Sequence, residues 1–189
     1  MIGLFVMSFG ISLFLKAQMG ANPLTTLTQG ISKTTGLTVG QSSQLLMVIV
    51  MSVVFFVDKK RLGIGTILNA IFIGVFIDII NKFLTIPENL IFKVSALFIA
   101  ILAFAIGLGT YVSSRLGEGA VDSLTIIIKN HSGFSIQKSR IILDISLLLV
   151  GGILGGSIGI GTILSAILTG PIMKNTMNIL NKIMEENYD

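Results

Sequence analysis

Asp122, Arg140 and Asp144 are the residues of this 189-residue chain whose types and spacing could do chemistry in an apolar setting. Arg140 and Asp144 lie four apart, which puts them on one face of a helix. Asp122 sits one turn into the short segment before it, "AVDSLTIIIKNHSG". Carboxylate, guanidinium and carboxylate together carry a net charge near −1 when all are ionised, a set able to coordinate a cation or polar solute or to shuttle a proton. Placing a charge deep in a bilayer costs at least about 2.5–3.5 kcal/mol, so such groups should pair or face water. The expected arrangement is a cluster in the interior of a helix bundle. Three readings stay open: a functional site, a closed ion pair that only locks helices together, or an interfacial position for Arg140 beside Lys138.

Weaker candidates are uncharged. Asn22 before Pro23 is a good helix start, with Thr25 three residues on. Asn69 and Ser165 are polar residues inside apolar runs, one turn after Thr66 and Thr162, which could cap the helices they begin. With those cap N–H groups aimed inward, such turns would suit an anion. Asp78 near the end of an apolar run reads as interfacial, with Asn81 and Lys82 behind it. Arg115 and Glu118 read as an exposed surface pair of little energetic value. His131 stands alone beside Lys129 and Asn130 and reads as a surface residue. No His–acid group suggests zinc, no serine has a nucleophile's His–acid partners, and the chain has no cysteine. The expectation is no enzyme, no metal and no cofactor.

The elements that must position these residues follow from composition. Hydrophobic residues make up 52% of the chain, charged residues 12%, and the mean hydropathy is +0.93. A soluble domain carries roughly 25% charged residues; this chain is too poor in charge to cover a wetted surface and reads as a multi-pass membrane protein. Its lysines and arginines are scattered apart from Lys59-Lys60-Arg61, which suits a loop meeting anionic lipid and excludes the extended basic face that nucleic acid needs. Apolar runs occupy Met1–Leu15, Leu45–Val57, Leu62–Ile80, Val94–Val112, Ile141–Ile158 and Ile160–Met173. They are continuous rather than alternating, so helices are expected and a barrel is not. The first run has no positively charged leader and reads as an uncleaved helix, short for a span. "NKFLTIPENLIFK" (Asn81–Lys93) reads as the central linker, its core about 85–93. "PLTTLTQGISKTTG" (Pro23–Gly36) and Ala120–Gly133 read as short helices packed on protein. The fold class expected is an all-α membrane bundle, six long transmembrane helices plus two short interrupted ones, in one domain spanning 1–189.

The chain repeats itself. "GIGTILNAIFIG" from Gly63 and "GIGTILSAILTG" from Gly159 agree at nine of twelve positions. Gly10 and Gly107, Gly20 and Gly117, Leu27 and Leu124, and Gly36 and Gly133 match at an offset of ninety-seven, which falls to ninety-six by Gly63 and Gly159. Two repeats, about 1–84 and 94–181, are expected to form similar bundles with a site between them. Whether they are parallel or inverted stays open, since Lys and Arg counts favour neither. The alignment sets Asp122 against Thr25, Arg140 against Ser43 and Asp144 against Met47, so one half alone carries the three charges. The Gly63-Ile-Gly65-Thr66 and Gly159-Ile-Gly161-Thr162 turns lack the lysine and preceding strand of a phosphate loop and read as packing turns. Gly151, Gly155 and Gly159, with Gly152 and Gly156, read as two small-residue ridges for close helix approach.

The elbow "GANPLTTLTQG", the following "TGLTVGQ", and "GEGAVDSL" with "RIILDISLLLVGGILGGSIGIGTILSAILTGP" resemble the YczE/YyaS/YitT-like family of bacterial membrane proteins, most closely its YczE branch. The resemblance covers nearly the whole chain and is most specific over Leu154–Pro171. It departs in lacking a longer leader and in having Asp144 where the family more usually has Glu. It implies location and architecture: a multi-pass protein of the bacterial cytoplasmic (inner) membrane. Residues and resemblance together point to a transporter of a small solute or ion, its site between two bundles and its surface against lipid. Rival expectations are a substrate-binding subunit that needs a separate energising partner, a homo-oligomer, or a membrane scaffold without cargo.

Overall fold

A computed structural model describes residues 1–114, 116–117 and 119–186, with the side chains of 185 and 186 excepted. Among the described residues all regular structure is helical: α1 Ile2–Ala17, α2 Pro23–Thr35, α3 Val39–Asp58, a 3-10 turn Lys59–Arg61, α4 Ile64–Phe83, α5 Leu90–Ser113, α6 Ala120–Ser132, α7 Ile136–Ile153 and α8 Ile160–Glu186.

Local chemistry sets these ends. The Asn22 side chain accepts from the Thr25 N–H at 3.0 Å, and Pro23 opens α2 where its missing donor costs nothing. Gly36 and Gly133 close α2 and α6 in left-handed conformations (φ 75° and 71°) that glycine adopts without Cβ strain. Thr38 and Gln41 exchange side-chain hydrogen bonds with each other's backbone N–H across the first turn of α3, and the Ser135 hydroxyl accepts from Lys138 N–H to start α7.

Three boundaries differ from expectation. The connection between α4 and α5 is only 84–89, because Asn81 to Phe83 and Leu90 to Lys93 continue their helices. Helix α7 stops at Ile153, so the last apolar run before "GIGT" is broken by a turn at 154–159. Helix α8 passes through Pro171 to Glu186. Gly170 precedes that proline and has no Cβ to clash with its ring, so the chain stays helical there.

Helices α1 and α5 form the centre and run antiparallel. Gly3 packs on Gly107 and Tyr111, and Gly10 packs on Ala100 and Phe104. Each contact is backbone to backbone, so glycine is the residue that permits it. Helix α4 lies along α1 and α8 along α5; α2 packs on α7, and α3 on α4 and α6. Leu13, Phe14, Ala17, Leu97 and Ile101 fill one core between α1 and α5, while Leu46, Val50, Val54, Ala70 and Ala120 fill another around α3.

The outer surface is apolar, with Phe56, Phe83, Ile91 and Ile153 almost fully exposed. Such a surface in water would drive association; against acyl chains it is the ordinary exterior. Among the described residues three segments are long and apolar enough to cross a membrane: Val39–Arg61, Ile64–Phe83 and Leu90–Ser113. Helix α1 is apolar but short, and α7 carries Lys138, Arg140 and Asp144 in its 18 residues.

Candidate functional site

Asp122 stands in the first turn of α6, where a carboxylate is favoured by the helix's positive end. Arg140 lies one turn into α7, with Asp144 one turn beyond. The three side chains meet. Arg140 Nη1 donates to Asp122 Oδ1 at 2.8 Å, and its Nε lies 3.1 and 3.0 Å from the two Asp144 oxygens. A guanidinium is suited to this, since its planar fork can face two carboxylates at once.

The position of the cluster differs from the bundle interior expected of it. The Arg140, Asp122 and Asp144 side chains are 43, 44 and 30% exposed. The cause lies in helix packing. Helix α3 is covered by α4, which buries Ser43 and Met47, whereas α7 makes almost no contact with α8. The face of α7 bearing Arg140 and Asp144 is therefore left open.

Tyr111, near the end of α5, is buried with its hydroxyl left without a hydrogen-bond partner among the described residues. Asn69 and Thr66 are likewise buried, on α4. Sequence reasoning missed Tyr111. The signal was present, because Tyr111 aligns with Phe14 and so adds a hydroxyl in the half that also gains the charges.

The remaining candidates lie elsewhere. Asn22 and Thr25 are buried at the start of α2, where the Asn22 Oδ1 is engaged as the cap. Ser165 is buried on α8 and donates to the Thr162 carbonyl at 3.0 Å. Thr66 and Thr162 are not the first-position caps expected of them. Each sits three residues after its turn glycine and accepts that glycine's N–H, Gly63 at 3.2 Å and Gly159 at 3.3 Å. The two turns dock on the opposite elbows: Gly65 N–H donates to Leu116 O, and Gly161 N–H to Met19 O, both at 2.8 Å. This spends backbone donors that an anion would need.

The glycine ridges do not form continuous stripes, because the helix carrying them breaks. Gly151 and Gly156 press on the backbone of α2 at Thr26 and Leu27, Gly155 takes a left-handed turn (φ 88°), and Gly159 contacts Met19. Asp78 has a sharper role than its interfacial reading. Its carboxylate accepts from Gly40 N–H at 3.0 Å and from the Thr38 hydroxyl, tying α4 to the start of α3. His131 Nδ1 lies 3.0 Å from the Ile127 carbonyl one turn back. Arg115 and Glu118 lie outside the described residues.

A family model matches residues 1–178 of this chain. The chain belongs to the family of unknown function DUF6198. Its similarity extends to an uncharacterized protein of Haemophilus influenzae, 34% identical over 100% of this chain and 86% of that protein. From Bacillus subtilis come the uncharacterized membrane protein YczE, 33% identical over 91% of this chain and 80% of its own, and the uncharacterized protein YyaS, 31% identical over 96 and 92%. No solved structure matches the chain. A membrane protein in this family accounts for both the relative's description and the spanning helices.

Proposed function

We propose that this family member moves a small solute or ion across the bacterial cytoplasmic membrane, through a site bounded by α6, α7 and the end of α5. The observation carrying the reading is the Asp122–Arg140–Asp144 cluster, paired within itself and partly exposed on the open face of α7. In lipid, a half-exposed carboxylate and guanidinium would be costly, so the open face of α7 is read as lining a wet or ligand-filled vestibule. A surplus carboxylate there favours a cationic cargo or a proton.

The architecture we infer is two inverted repeats, each a long helix, a short interrupted helix and two further long helices. The antiparallel α1–α5 contact and the exchanged backbone hydrogen bonds, Gly65 to Leu116 and Gly161 to Met19, support it, since each joins one half's "GIGT" turn to the other half's elbow. Inverted repeats place sites between halves in many transporters.

The test is flux in vesicles holding the purified full chain, read with trapped dyes for protons, sodium and potassium. Asp122→Asn and Arg140→Gln should abolish the flux the wild type shows while leaving the thermal unfolding midpoint within a few degrees. Unchanged flux in both variants would overturn the assignment. That result would leave the scaffold reading, in which the ion pairs only join α6 to α7.

A further inference from the structure

We propose that the cavity beside the Lys59–Arg61 turn binds the phosphate head group of an anionic phospholipid. The cavity has a volume of about 590 Å³ and is lined by Asp58, Lys60, Arg61, Leu62, Gly63 and Leu116, among others. It opens where α3 turns into α4, and both flanking segments are long and apolar enough to span a membrane, so the turn lies at the membrane surface. The lining suits an amphiphile. Lys60 and Arg61 supply cationic donors, Leu62 and Leu116 supply apolar walls, and Phe56 and Val57 stand exposed just below, where acyl chains would run. Asp58 pairs with Arg61 at 2.9 Å and fixes the turn, while Lys60 is exposed.

The charge of this end fits the partner. Helix α8 runs parallel to α5, with Gly161 against Leu97 and Gly109 against Met173 and Thr176, so Lys174 and Lys182 lie at the same end as the Lys59–Arg61 turn. Lys16, Lys82 and Lys93 lie at the opposite end, where Lys93 is paired with Glu88. A concentration of cations next to spanning helices attracts anionic lipid of the cytoplasmic leaflet. The turn before the second "GIGT" is packed differently. There Gly156 presses on the Thr26 carbonyl, the Ser157 N–H donates to Gln29 at 2.6 Å, and Lys33 reaches the Gly155 carbonyl at 2.7 Å, so α2 fills the space.

The experiment is native mass spectrometry of the full chain released from nanodiscs containing phosphatidylglycerol and phosphatidylcholine in equal parts. Wild type should retain phosphatidylglycerol preferentially. Lys60→Gln should lower that retention about fivefold and Lys60→Glu further, while Lys82→Gln at the other end leaves it unchanged. Inorganic phosphate in excess should not displace the lipid. Equal retention of the two lipids, insensitivity to Lys60→Glu, an equal loss in Lys82→Gln, or displacement by inorganic phosphate would each overturn the proposal. The measurement is independent of flux, so it stands or falls apart from the transport reading.

Discussion

At the scale of single residues, charged side chains near the apolar runs are engaged in two different ways. Asp78 is held by Gly40 N–H and the Thr38 hydroxyl, both at the start of α3, so its negative charge also meets that helix's positive end. Charge-assisted hydrogen bonds of this kind are worth about 1.5–3 kcal/mol. Asp78→Ala should therefore lower stability in detergent by about 2 kcal/mol, read as a shifted denaturation midpoint, with flux lost only in proportion to unfolded protein. An unshifted midpoint would show that the cap contributes nothing. The Arg140 group differs in being open on one face, which is why its neutralisation should cost function more than stability. Sequence alone identified the three members of that group, because unmatched charges stand out once the halves are aligned. It could not foresee their exposure, which depends on α7 and α8 standing apart, nor the capping role of Asp78, which depends on a contact forty residues away.

At the scale of helices, glycines divide by what surrounds them. A Cβ on Gly10 would come within 2.5 Å of Phe104 N and 2.8 Å of Ala100 O, backbone atoms that can yield only if α1 and α5 separate. Gly36 has open space, and its constraint is φ 75° alone. Gly170 has neither. Gly10→Ala should therefore destabilise by about 1–3 kcal/mol through overpacking, Gly36→Ala by about 1–2 kcal/mol through backbone strain, and Gly170→Ala by less than Gly10→Ala, since its Cβ would meet only the ring of Pro171. Thermal unfolding of the three variants in one detergent checks the order; a Gly170→Ala effect as large as that of Gly10→Ala would remove the packing argument. The short helices were legible in the sequence to within a residue, because Asn22-Pro23, Gly36 and Gly133 are local signals read at their own positions. The break at 154–159 was not, since apolar residues continue through it and the turn is held by α2, a partner that no local pattern names.

At the scale of the whole molecule, the antiparallel pairing of α1 and α5 is what the proposed inverted arrangement of the halves rests on. With α1 and α4 parallel, α3 and α4 antiparallel, and α5 and α8 parallel, the start of α1 and the end of α8 lie on one side and the connection 84–89 on the other. The proposed cytoplasmic side is the one bearing Lys59, Lys60 and Arg61. Because the chain has no cysteine, single thiols can be introduced without background. Lys60→Cys and Asn181→Cys should react with a membrane-impermeant maleimide only in inside-out vesicles, and Thr85→Cys only in right-side-out vesicles. Labelling of Lys60→Cys and Thr85→Cys from the same side would refute the inverted arrangement, because α4 would then fail to cross the bilayer. The opposite polarity, with Thr85→Cys cytoplasmic, would keep the inverted fold and move the Arg140 cluster and the basic cavity to the outer face, where the anionic-lipid proposal would lose its leaflet.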